Sequence, residues 1–385
     1  MSNKLQYQFP EGFYWGSATA SYQVEGGIYN NDWADEGRKG KVPEAGESLN
    51  HYHLFERDFD LVKELGHNAH RISIEWSRIE PEEGKFDRRE IEHYRKVLDA
   101  LRGRKIKPFV TMWHFTLPIW FVEKGGFEKK ENIDYFVRYC KKIVEELDER
   151  DIFWATINEP VVLTSNGWFR GNWPPFKKDK ITGLKVFNNL AKAHNESYKA
   201  IKEIDEKIHV GIVKDNINFH STSNIFGWIK ARFFAWAWNH WFLGKVKNNI
   251  DSIGLNYYFH QDMGKKKEHP VSDMGWELCP NSLYYVLMEL KKYNVPVYVA
   301  EAGLADKEDK YRTEYIKGLV KSTYTALEAG LDVRGFMYWS FLDNFEWAFG
   351  YDQYFGLVSV DRKTQQRTPR KSAYEYKKIC ENNGY

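Results

Sequence analysis

A chain of 385 residues can bury a large core, and its length alone allows either two or three average domains or one large α/β barrel. Its 56 basic and 54 acidic residues leave a formal net charge of +2, which removes any electrostatic ground for a nucleic-acid or other polyanionic partner. Aromatic residues make up 17% of the chain, with 15 Trp, and such side chains stack on apolar ring faces while offering a polar edge. Composition therefore favours a small ligand that carries both apolar faces and hydroxyls.

From the N-terminus onward, the opening MSNKLQYQFPEGFYWG has no apolar run behind a basic segment, and no stretch approaches the length of a membrane span. No secretory signal and no membrane partner are expected. Short β-rich segments then recur at 13–20 (FYWGSATA), 68–74 (NAHRISI), 106–114 (IKPFVTMWH), 152–159 (IFWATINE), 209–215 (HVGIVKD), 251–258 (DSIGLNYY), 295–301 (VPVYVAE) and 334–340 (RGFMYWS). Between them lie amphipathic stretches of helical period, at 49–66, 133–150 and 313–330 among others, the last two closing on cations or Gly. Eight alternating units without a linker or low-complexity tract predict an α/β fold, a single (β/α)8 TIM barrel spanning residues 1–385. Cys140, Cys279 and Cys380 stand far apart in no metal-like spacing and read as the reduced thiols of a cytoplasmic protein. Composition carries no signal for oligomeric state.

A barrel converts sequence position into geometry, because active sites in this fold gather at the C-terminal ends of the strands. Five of the proposed strands end in polar or aromatic groups: His114, Asn158 with Glu159, Asn256 with Tyr258, Glu301, and Trp339. One such residue alone would read as a solvated loop residue or a packed core side chain; five at one rim define a site. Glu159 and Glu301 are the pair that chemistry singles out. Splitting a glycosidic bond needs one carboxyl to protonate the leaving oxygen and another to carry the positive charge that develops at the anomeric carbon. Metal binding is the rival use of paired carboxylates, but it wants further His or Asp ligands. The one tight His pair, His51 and His53, precedes the second strand, so neither a metal nor a cofactor is expected.

TINEP (156–160), YVAEAG (298–303), WGSATASYQVEG (15–26), RISIEWSRI (71–79), GLNYY (254–258) and YWSFLDNFEWAFGYDQYFGLVSVD (338–361) occur in order. Through these motifs the chain, from about residue 9 to its end, resembles glycoside hydrolase family 1, the β-glucosidase and β-galactosidase family. The resemblance implies a retaining β-glycosidase, a β-glucosidase first of all, that hydrolyses non-phosphorylated β-D-glycosides or oligosaccharides through a covalent glycosyl-enzyme. It implies that Glu301 is the nucleophile and Glu159 the general acid/base. Asn158 would donate to the sugar 2-hydroxyl, and Arg71 and Tyr258 would hold the nucleophile ionised. Gln23, His114, Glu346 and Trp347 would bind the 3-, 4- and 6-hydroxyls, with Asn256 beside them and Trp339 under the ring, while Trp276 with Glu277 would form the lip for the aglycone.

Three features depart from the family pattern. Ala300 and Ala302 flank Glu301 where Thr and Asn are common; side-chain alternation predicts that Ala300 points outward to the helices and that Ala302 lies just beyond the strand. The segment from Trp241 to Asp251 is short where relatives carry a longer loop, so one wall of the mouth is expected to be reduced. Glu75 replaces a small polar residue, and a solvated or salt-bridged role is expected for it. The alternatives to hydrolysis of plain glycosides are a weak or silent glycan-binding protein on the same barrel, usually marked by loss of one carboxylate, and a 6-phosphoglycosidase, against which Glu346 argues by charge. An S-glycosidase would have no use for Glu159.

Overall fold

The computed structural model describes residues 5–147, 151–264 and 270–385. Twelve strands occur among these residues: β1 (Tyr14–Ala18), β2 (Ala69–Ser73), β3 (Lys107–Trp113), β4 (Phe153–Asn158), β5 (His209–Asp215), β6 (Asn218–His220), β7 (Ser252–Tyr257), β8 (His260–Asp262), β9 (Val297–Ala302), β10 (Val333–Trp339), β11 (Val358–Asp361) and β12 (Gln366–Pro369). Eight of them close a barrel in the order β1-β10-β9-β7-β5-β4-β3-β2, every neighbouring pair parallel. The predicted (β/α)8 barrel is the fold. The remaining strands form two ribbons, β6 with β8 and β11 with β12.

The helices form where the period predicts them, at His51–Glu64, Ile133–Leu147 and Arg312–Glu328. The predicted extension of the second through 148–150 lies outside the described residues. That helix buries Ile133, Phe136, Tyr139, Cys140, Ile143, Val144 and Leu147, a spacing of three and four that turns one continuous stripe onto the strands. Inside the barrel the rings of Tyr14, Phe109, Phe153 and Tyr298, from β1, β3, β4 and β9, meet at centroid distances of 4.6 to 5.7 Å. Four rings from four strands plug the lower barrel and close it off from the upper end, where the strands finish.

Alternation is broken where it matters. The register of β4 against β5 shifts between Ala155 and Asn158, and that of β7 against β9 shifts at Leu255 and Asn256, opposite Ala300. A bulge lets successive residues face the same side. Ala300 consequently lies on the inner face with Tyr298, so near Gly254 that a Cβ added there would come within 3.1 Å of the Ala300 Cβ. The expectation that Ala300 points outward fails for this reason. Ala302 is the last residue of β9, fully buried among the outer-layer side chains, and not a loop residue.

Glu75 is neither solvated nor engaged in a direct ion pair. It is fully buried and accepts hydrogen bonds from Ser21 Oγ (3.3 Å), Asn31 Nδ2 (3.3 Å), Ser77 Oγ (2.5 Å) and Thr116 Oγ1 (2.9 Å). Burial raises its pKa, against the pull of those donors. The four donors come from the segments after β1, β2 and β3, the same segments that carry Gln23 and His114. Glu75→Ala would strand them, and at about 1 kcal/mol for each lost bond the fold should lose roughly 2–4 kcal/mol in urea titration. A loss below about 0.5 kcal/mol, within the range of ordinary surface substitutions, would show that the carboxylate does not tie these loops together.

Candidate active site

Glu301 stands on β9 and Glu159 immediately after β4. The Arg71 guanidinium, from β2, donates Nη1 to Glu301 Oε1, Nη2 to Asn158 Oδ1 (2.8 Å) and Nε to Thr111 Oγ1 (3.0 Å). Tyr258 donates its hydroxyl to the other Glu301 oxygen. The Glu301 carboxylate is thus fixed by one donor on each oxygen and faces a buried cation. Glu159 has φ 44°, a left-handed backbone that a non-Gly residue adopts only under constraint, and its N–H is held by Val213 O at 3.0 Å. Asn256 Nδ2 donates to Glu159 Oε1 at 2.7 Å.

The two carboxyls differ in surroundings. Burial pushes Glu159 well above the usual carboxylate range, and the negative charges of Glu301 and then Asp215 add to the push, opposed by the Asn256 hydrogen bond and by Lys214. No cation forms an ion pair with it among the described contacts, whereas Glu301 has Arg71. One carboxyl is arranged to keep its proton and the other to face a positive charge.

The cavity around the pair encloses about 320 Å³ and is lined by Gln23, His114, Glu159, Tyr258, Trp276, Glu301, Trp339, Glu346 and Trp347 among others. Arg71, Asn158 and Asn256 stand directly behind this lining and reach it through the hydrogen bonds just described. Every site residue expected from the sequence except Glu277 is therefore brought to one place. Glu277 is turned away, its Oε2 3.2 Å from His260 Nε2. His51 spends Nδ1 on Asp58 Oδ2 at 2.7 Å.

Three buried polar atoms of the lining have no protein partner: Gln23 Oε1, His114 Nδ1 and Glu346 Oε2. Asn158 Oδ1 is occupied by Arg71, so its amide nitrogen faces His114 Nε2 at 3.1 Å and makes that nitrogen the acceptor. The His114 proton consequently sits on Nδ1, the unpaired atom. Burial, with the Arg71 charge adding, holds His114 well below the usual imidazole range and so neutral. The Trp339 and Trp347 rings lie within 17° and 10° of the His114 plane, at centroid distances of 6.2 and 5.9 Å. Burial, reinforced by the charge of Glu301, pushes Glu346 up to about 8.

Asp215, Trp238 and Trp173 also line the cavity, and sequence reasoning passed over them. Asp215 was legible by the rule already in use, since it is the carboxylate that ends β5. It accepts Trp238 Nε1 at 2.9 Å. Its neighbour Lys214 is fully buried and donates Nζ to the Asp215 carbonyl; burial brings that ammonium down to about 8 against the attraction of Asp215.

A (β/α)8 barrel whose strand ends hold one cation-backed and one protonated carboxyl, beside unpaired polar atoms and parallel indoles, defines a sugar-cleaving enzyme. Comparison with known proteins agrees. The sequence pattern of glycosyl hydrolase family 1 matches residues 5–248 and 228–385. The chain is 31% identical to β-glucosidase A of Thermotoga maritima over 439 aligned positions, covering 98% of each. Among solved structures it superposes on the β-glycosidase from Pyrococcus horikoshii with TM-score 0.92, at 37% identity, covering 98% of this chain and 96% of that one. With the β-glucosidase from Thermotoga maritima in complex with deoxynojirimycin the TM-score is 0.93, at 30% identity, covering 98% and 100%. The chain belongs to glycosyl hydrolase family 1, and it is a retaining β-glycosidase.

The charge on Asp215 is one of the causes that hold the Glu159 proton. Asp215→Asn removes that repulsion, so the Glu159 pKa must fall and the basic limb of the kcat/KM profile should move to lower pH, the acidic limb staying in place. A basic limb that stays put or moves upward would separate Asp215 from the acid.

Proposed function

We propose that the chain hydrolyses non-phosphorylated β-D-glycosides, β-glucosides first, with Glu301 as nucleophile and Glu159 as general acid/base. The observation that carries this reading is the set of three unpaired buried atoms, Gln23 Oε1, His114 Nδ1–H and Glu346 Oε2, in the cavity that holds the two carboxyls. An acceptor, a donor and a carboxyl able to do either, flanked by the Trp339 indole, suit a pyranose, which offers hydroxyls at its edge and C–H groups on its face. Trp347 would share the hydroxyl edge and Trp276 the aglycone lip.

In the first step Glu301 would attack the anomeric carbon while Glu159 gives its proton to the leaving oxygen; in the second Glu159, now a base, would draw a proton from water as the glycosyl ester breaks. Arg71 and Tyr258 aim the Glu301 carboxylate, and Asn158, fixed by Arg71 and His114, keeps one N–H for the 2-hydroxyl. Asn256 orients Glu159. At that end the described residues offer a sugar phosphate the Glu346 carboxyl and no buried cation to neutralise it, which argues against 6-phosphoglycosides. The silent-binder alternative finds no support, since both carboxyls are present in unlike environments. We read residues 1–385 as one domain and place the protein in the cytoplasm, where its three free thiols would stay reduced.

Proton NMR of the hydrolysis of an aryl β-glucoside should show the β-anomer first; an α-anomer released initially would rule out Glu301 as nucleophile. Glu301→Gln should lower kcat by more than about a thousandfold, the scale of nucleophile removal. Glu159→Ala should cripple substrates with poor leaving groups far more than activated aryl glucosides, and azide should restore turnover as the β-glycosyl azide. Equal losses on both substrate types without rescue would remove Glu159 from the acid role.

A further inference from the structure

The helix Ile225–Ala235 is inverted. It buries only Gly227 and Ala231, one turn apart, and turns Ile225, Phe226 (74% exposed), Trp228, Ile229, Phe233 (59%) and Phe234 outward. A Cβ on Gly227 would come within 2.2 Å of Ser221 Oγ, so the small face is pressed against the segment that leads from β6 into the helix and has no room there for a large side chain. The patch continues past the helix. Phe233 meets exposed Trp236 at 6.2 Å, and Trp236 stacks on Trp241 at 5.6 Å and 17°. Folded monomers rarely leave so many large apolar side chains contiguous and exposed.

Charge says what covers the patch. From Asn224 to Ile250 the chain contains Lys230, Arg232, Lys245 and Lys247 and no Asp or Glu, in a protein whose net charge is only +2. The Arg232 guanidinium lies 4.8 Å over the Trp228 ring, so cation and aromatic share one surface. Two such faces brought together would oppose cation to cation, which disfavours a second copy of the chain. An anionic lipid surface meets both features: it accepts aromatic side chains at headgroup depth and attracts the cations around them.

We propose that helix Ile225–Ala235 and the turn after it seat the enzyme on anionic bilayers, the helix lying flat among the headgroups. This departs from the expectation, drawn from the lack of a spanning segment, that no membrane is involved. No helix among the described residues is long and apolar enough to cross a bilayer, and 11 residues make a helix about 16 Å long, too short to span but suited to lie in the plane. Trp238, two residues beyond Trp236, lines the catalytic cavity, so docking would hold the mouth beside the lipid surface.

The test is sedimentation of the full chain with vesicles of phosphatidylcholine alone or mixed equally with phosphatidylglycerol. At low salt the mixed vesicles should bind it at least about tenfold more tightly than neutral ones, and high salt should erase most of the difference. Phe226→Ser combined with Phe233→Ser should weaken binding by more than about tenfold while leaving kcat/KM on a soluble aryl glucoside unchanged. Lys230→Gln with Arg232→Gln, which leaves the apolar face intact and so covers the case of a misfolded serine variant, should weaken binding to the mixed vesicles alone. Failure of the wild-type protein to pellet with mixed vesicles overturns the proposal. So does a dimer in analytical ultracentrifugation that the serine variant splits while vesicles capture nothing, an outcome that would assign the patch to a second copy.

Discussion

The guanidinium of Arg71 is the point on which the catalytic end of the barrel turns. It is almost fully buried, and its three nitrogens reach β3 through Thr111, β4 through Asn158 and β9 through Glu301. A charge in that position is tolerable only because a carboxylate and two hydrogen-bond acceptors meet it. Removing one partner of such a pair typically costs about 3–5 kcal/mol, because the other charge is left uncompensated. The same contacts set the chemistry. Arg71 occupies Asn158 Oδ1, which commits the Asn158 amide to His114, which places the His114 proton in the cavity. A single buried cation therefore fixes the surroundings of Glu301 and, two hydrogen bonds away, the polarity of an unpaired atom in the cavity.

Regular strands would not deliver the carboxyls to this point. Side chains alternate with a period of two, so the residue that follows an inward-facing one must face out unless the register slips. Both carboxyl-bearing strands slip within a few residues of the glutamate, β4 after Ala155 and β9 at Ala300, and Glu159 adds a left-handed backbone turn. Ala300 takes its meaning from this. The bulge doubles Ala300 onto the inner face, where it lines a small cavity with Arg71, Phe109 and Tyr298 beside Gly254. Alanine at that position leaves Glu301 with its donors on both oxygens.

The barrel was legible because hydrophobic period and strand punctuation are local properties, and the site was legible because a parallel barrel turns strand ends into one rim. Gln23, Glu346 and Trp347 lie on loops and were reached through motif resemblance, since no periodicity marks them. What escaped depends on contacts between distant segments. Glu75 looked like a surface acid because its four donors come from positions 21, 31, 77 and 116, and only the folded loops bring them together. Ala300 was misplaced because a bulge leaves no trace in a six-residue strand. The helix Ile225–Ala235 was unread for a different reason: its apolar residues fit a core helix by composition, and only the fold shows which face is buried.

Four acids, Glu159, Asp215, Glu301 and Glu346, line one cavity; Arg71 is ion-paired with Glu301, and the buried Lys214 attracts Glu159 and Asp215. Such a set cannot all ionise together at close quarters, and since all four carboxyls are buried the balance is struck by unequal access to Arg71 and Lys214. Glu346 and Glu159 are both pushed up by burial and by the charge of Glu301. Among the described contacts only Glu301 of the four has a direct ion pair, so the cavity offers mainly hydrogen-bonding carboxyl groups, which suit a neutral, hydroxylated ligand. The cationic, apolar patch lies at the opposite extreme on the same rim. Docking through that patch would bring an anionic surface beside the mouth without requiring its phosphates to enter the catalytic centre.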